Sequence, residues 1–213
     1  MRPNISQEHR AELLRFLLLK TAAVRSGIKP AELLRVKHCY ESRNSEGLHF
    51  CLYRQDIFRT LGLNYIELQI QDHSSLVLFY HRETLHHTLQ EPENKRLLRQ
   101  FGYPENASVD TWLAYLRKRF GEEKIPHEVG IFIGYPAKDV AGFIEQLPPT
   151  PVHRGDWMVF GDAVESLRKM ELYRKAERTA SMILDACDDL HTFFEYTADL
   201  RFLQKNMKDI RQT

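Results

Sequence analysis

The sequence predicts an α+β fold: a small mixed sheet of four or five strands, helices packed on it, and a long helical C-terminal extension. Three observations carry this. Residues 64–80 read as a strand hairpin, because Tyr65, Glu67, Gln69 and Gln71 alternate with Ile66, Leu68 and Ile70 before the unbroken apolar run "LVLFY". On either side of the hairpin, apolar residues recur at helical spacing. From Asp162 to Thr213 there is neither Gly nor Pro, so helix is the expected state throughout. The chain therefore divides into an α+β core over residues 1–161 and a helical extension over 162–213.

The elements follow in order. "SQEHRAELLRFLLLKTAAVRSG" is a helix with Ser6 as its N-cap, Leu13, Leu14, Leu17, Leu18 and Thr21 on one side, and Gly27 as its stop. "AELLRVKHCY", after Pro30, fits a short strand or a helical turn equally well. "GLHFCLYRQDIFRTLGL" patterns as a helix with Cys51, Leu52, Phe58 and Leu61 inside and Gly62 at its end. Asp72, His73, Ser74 and Ser75 supply the hairpin turn. Helices follow in "RETLHHTLQ", "PENKRLLRQFGY" and "SVDTWLAYLRKRFG". In the last, Ser108 caps, and Val109, Trp112, Leu113, Leu116 and Phe120 share a face.

"EVGIFIG" is apolar almost throughout and reads as a strand covered on both faces. Pro136 then opens a helix that buries Val140, Phe143, Ile144 and Leu147. "PPTPVHRGD" is a stiff loop and "WMVFG" one more strand. The extension is two helical pieces meeting near "CDDLH". In the second, Leu190, Phe193, Thr197, Leu200, Leu203, Met207 and Ile210 recur at spacings of three and four. Such a stripe must pack, either on the core or on a second copy of the chain.

Several function classes lose ground on composition. With 30 basic against 29 acidic residues, a net charge of +1 gives no general drive toward nucleic acid or an anionic membrane. The longest early apolar run, "FLLLKTAAV", is broken by Lys20; a membrane span needs about 20 apolar residues. No signal peptide is evident, so a cytoplasmic protein is expected. Cys39, Cys51 and Cys187 are odd in number and far apart, which argues for reduced thiols and against a structural zinc site.

Candidate site residues gather around residues 125–157. His127 and Glu128 are each a candidate ligand or proton-transfer group, or a satisfied polar residue at a strand edge. As neighbours on a strand they would face opposite ways and would not form one acid–base dyad. The junction Gly134-Tyr135-Pro136 exposes amides at a helix start and favours an anion, although one glycine is not a phosphate-binding loop. Beyond it, Arg154 is a partner for a carboxylate, and Trp157 is a core aromatic or a stacking platform. His81, His86 and His87 read as a solvated polar face, since His86 and His87 diverge by about 100° on a helix.

The strings "PHEVGIFIGYPAKDVAGFI", "GDWMVFGD", "GIKPAELL" and "LVLFYHRETL" resemble a family of uncharacterised bacterial proteins, a domain of unknown function found mostly in anaerobic Firmicutes. Its signature is His-Glu-[Val/Ile]-Gly-[Ile/Val]-Phe-[Ile/Leu]-Gly-Tyr-Pro followed by Asp-Val and Gly-Phe-Ile, and the likeness runs from about Gly27 to about Tyr173, with the helical tail as an addition. The resemblance implies a weak link to iron, haem or redox-cofactor handling, because such proteins lie beside ferrous-iron transport and flavodoxin genes. Many relatives carry cysteines where this chain has "TAAVRS" and "PVHRGDW", so a cysteine-based role is absent here or passes to His153.

Three readings follow. The first is a ligand- or cofactor-binding accessory protein for haem, iron or another flat anionic guest, using His127, Glu128, Gly134, Tyr135, Arg154 and Trp157, with no dedicated metal cage. The second is a small-molecule enzyme with His127 or Glu128 as acid or base. The third is an interaction or homo-oligomerisation module acting through the C-terminal helices.

Overall fold

The computed structural model describes residues 7–37, 56–72, 74–122, 125–145 and 150–187. Ser6, Cys39, Cys51, Leu52, His73, Leu147 and the stripe from Leu190 to Ile210 lie outside the described residues. The fold is α+β: helices, a small antiparallel sheet of three strands, a second of two, and a long helix toward the C-terminus.

Helices α1 (Gln7–Lys20) and α2 (Ala22–Arg25) bury Leu14, Leu17, Leu18 and Thr21, as their spacing requires. The segment after Pro30 resolves as a strand, β1 (Ala31–Lys37). It pairs antiparallel with β3 (Ser74–Tyr80), whose other edge carries β2 (Asn64–Gln71). All seven residues of β3 are buried. Leu76, Leu78 and Tyr80 join a core that includes Trp112, Leu116 and Phe132. Val77 and Phe79 face a second core with Leu17, Leu18 and Phe58. An unbroken apolar strand is what a central strand between two cores needs.

In β2 the expected alternation fails at its far end. The register shifts between Glu67 and Gln69, so Leu68 is the extra residue of a bulge. Beyond it the faces exchange: Gln69 pairs with Leu76, while Ile70 is 63% exposed. One inserted residue is enough to turn an apolar side chain out of the core.

Helices α3 (Arg82–Gln90), α4 (Pro92–Gln100) and α5 (Val109–Glu122) lie where their patterns place them. His81 caps α3, its Nδ1 accepting from Thr84 N–H at 3.3 Å. Ser108 Oγ does the same for Thr111 at the start of α5, and all five expected residues of that helix are buried.

The strand expected in "EVGIFIG" does not form. Val129–Phe132 is a short helix, α6, buried all round. An apolar run of this length fits a buried helical turn as well as a buried strand, and periodicity alone cannot separate them. The chain stops α6 with a two-bond cap: Tyr135 N–H reaches Gly130 C=O at 2.8 Å, and Gly134 N–H reaches Ile131 C=O at 3.0 Å. Gly134 sits at φ +87°, the left-handed position such a cap demands. Pro136 C=O then accepts from Asp139 and Val140 N–H, and α7 (Ala137–Glu145) begins.

The inner side of α7 is Asp139, Val140 and Gly142. Phe143, expected inside, is 43% exposed because the helix turns a carboxylate inward instead. Strands β4 (His153–Arg154) and β5 (Met158–Val159) form a two-residue hairpin. Helix α8 (Val164–Ala186) follows, and Cys187 is extended at the predicted break. Its Ala176 and Ala180 pack on Ala22 and Ala23, and Leu184 enters the second core.

Candidate functional site

The residues singled out in the sequence separate into three places. Glu128 points inward from the turn before α6 and is 0% exposed. Its Oε1 accepts from Arg119 Nε at 2.9 Å and from the Tyr103 hydroxyl at 3.3 Å, whereas its buried Oε2 has no hydrogen-bond partner among the described residues. Burial, then the Glu128 charge, pushes the Tyr103 phenol far up. His127, one residue earlier, is exposed on the opposite side. The two do diverge as expected, though from a turn rather than a strand.

Gly134, Tyr135 and Trp157 belong to a second place, which is filled by side chains. A Cβ on Gly134 would lie 2.7 Å from Pro30 Cδ and from the Tyr173 hydroxyl. Tyr135 stacks on Trp157 at 4.4 Å and 23°, and Tyr173 closes the group, its hydroxyl donating to Gly134 C=O at 3.3 Å. Burial pushes the Tyr135 phenol up to about 12, with help from Glu32 and Asp156.

Below this stack sits a residue that sequence reasoning missed. Asp139, 2% exposed, accepts four hydrogen bonds: Trp157 Nε1 at 2.8 Å, Phe160 N–H at 2.9 Å, Lys138 Nζ at 2.7 Å and Ser166 Oγ at 2.6 Å. Lys138 Nζ also donates to Phe160 C=O and Ser166 Oγ, each at 2.9 Å. One carboxylate thus ties α7 to β5 and to the first turn of α8. The only signal in the sequence was an acid three residues past Pro136, which reads more simply as a helix-start charge.

His127 and Arg154 meet at the third place. Both line a cleft of about 270 Å³ with Phe143, Ile144, Pro151, Met158 and Phe160. Phe143, left exposed by the rotation of α7, packs edge-on against the His127 ring at 5.0 Å and 78°. Arg154 Nη1 lies 3.7 Å from Met158 Sδ. Among the described residues, neither nitrogen of His127 is hydrogen-bonded and Arg154 has no carboxylate partner. The cleft therefore offers one imidazole, one guanidinium and an apolar floor. Among the described residues no three His, Cys, Asp or Glu side chains come together to hold a metal ion. Nor is any described helix long and apolar enough to cross a membrane.

The fold and this arrangement define a small α+β domain of uncharacterised type, organised by a buried aspartate. Residues 17–193 match the family described as protein of unknown function (DUF3793), and the chain belongs to that family. The match takes in the last turn of α1 and all of α8, a wider span than the motifs alone delimit. No curated protein and no solved structure matches the chain.

Proposed function

We propose that the protein is a ligand-binding accessory protein in iron, haem or redox-cofactor handling, and that its guest is held in the cleft of His127 and Arg154. One observation carries this reading. An imidazole and a guanidinium, from separate parts of the chain, line one cleft among apolar side chains. Those groups suit a flat guest with carboxylates at its edge and a metal at its centre, such as haem. With so few ligating side chains gathered, iron would arrive already chelated. At about 270 Å³ the cleft falls just below the usual range of ligand sites, so the guest is gripped at one edge and stays easy to hand on. Gly134, Tyr135 and Trp157 are not contacts in this reading, because they are packed against one another.

Haemin titration followed by absorbance tests this. Wild-type protein is expected to give a saturable spectral shift that His127→Ala abolishes and Arg154→Ala weakens; no shift, or one indifferent to both changes, removes the reading. An enzyme reading survives on one feature, the unengaged His127 imidazole facing the same cleft, which would act as acid or base on a small substrate. Glu128 is less suited, since its carboxyl is fully buried and engaged. The C-terminal helices remain a proposed homo-oligomer contact, supported by Met182, 73% exposed on α8. Light scattering of wild type against Met182→Glu tests it.

A further inference from the structure

We propose that a second cleft, between α4 and the loop joining it to α5, binds a compact diphosphate-type anion. This site is independent of His127 and Arg154. The cleft encloses about 450 Å³, within the range of small-molecule sites. Lys95, Arg96 and Arg99 line one wall, Tyr103, Asn106 and Trp112 others. The three cations lie within an arc of about 100° on α4 and about 6 Å along its axis, and all three line the same cleft. Among the described residues that line the cleft Glu105 is the one acid, and it is committed to Arg99 at 3.1 Å. Among the described residues Lys95 and Arg96 have no charged partner.

The site is also rigid where it needs to be. The Tyr103 hydroxyl is held from beneath by Glu128, and Trp112 Nε1 donates to Pro104 C=O at 2.7 Å, which pins the loop across the cleft. A lysine and an arginine on the wall beside these fixed aromatics suit adjacent phosphate groups, with the guanidinium binding one of them bidentately. A concavity of this size admits neither a duplex backbone nor a folded acidic domain, so the ligand class is a soluble small molecule.

The test is calorimetric titration of the full chain with inorganic pyrophosphate, then with orthophosphate. Saturable binding of pyrophosphate, tighter than orthophosphate and weakened at least about tenfold in Lys95→Ala/Arg96→Ala, is expected. Lys175→Ala, which removes an exposed charge on α8, and His127→Ala should leave it unchanged. Any of four binding results would overturn the proposal: no saturable heat with pyrophosphate, equal affinity for the two anions, an unaffected double variant, or an equal loss in Lys175→Ala. Both altered side chains are unpaired, so the double variant should keep the wild-type melting temperature; a lower one would mean that they serve the fold, which also overturns it.

Discussion

Two buried carboxylates, Asp139 and Glu128, are handled in opposite ways. Asp139 uses both oxygens, each with two donors. Glu128 has one oxygen shared by Arg119 and Tyr103, and the other is buried with no hydrogen-bond partner among the described residues. A buried charge is tolerated when it is paired and its lone pairs are filled. By that measure Asp139 is a keystone for three elements. Glu128 is held at a penalty, and its return is a fixed Tyr103 on the floor of the cationic cleft.

The difference can be broken in order of size. Asp139→Ala takes the carboxylate acceptor from an indole N–H, a backbone N–H and a hydroxyl, and the counter-charge from the Lys138 ammonium. A loss of about 3–5 kcal/mol in urea unfolding is expected. A smaller loss comes from Gly142→Ala, whose new Cβ would lie 2.5 Å from Phe160 Cγ and so press on the same junction. About 1–3 kcal/mol should disappear, read by the same unfolding curve. Glu128→Gln keeps the shape and one acceptor but removes the charge beside a partly exposed Arg119; about 1 kcal/mol is expected. If Glu128→Gln cost as much as Asp139→Ala, the contrast between the two sites would collapse.

Tyr135→Phe should change neutral-pH stability least and alkaline behaviour most. Burial raises the Tyr103, Tyr135 and Tyr173 phenols above 10, Tyr135 to about 12. Between those values the unfolded chain has lost a proton that the folded chain keeps. Each tyrosine therefore contributes stability that is full below about pH 10 and lost as pH rises through the folded value. Arg25, lowered to about 10 by burial, acts in the opposite sense: the penalty for its buried charge is present below that pH and relieved above it. A tyrosinate absorbance titration should show a late step near pH 12 that Tyr135→Phe removes.

Much of the fold was legible because its signals are local. The β2–β3 hairpin, the Ser108 cap and the inner face of α5 follow from spacing within a few residues. Residues 128–134 were misread because a short apolar run carries no period, and Phe143 because the inward turn of Asp139 depends on Trp157, Phe160 and Ser166 much further along the chain. His127 and Arg154 were recognisable as reactive types. Their meeting in one cleft, and the filling of the Gly134 junction by Tyr173, depend on distant contacts.

By itself, the sequence determined the α+β class, the central apolar strand, the helical faces and the glycine stops, since each depends on backbone geometry or on periodic burial nearby. Tertiary structure alone decided which carboxylate is satisfied, which histidine faces a cleft, and where three cations meet an aromatic floor. Those outcomes depend on donors and acceptors brought together by packing, and no local pattern records which distant partner will arrive.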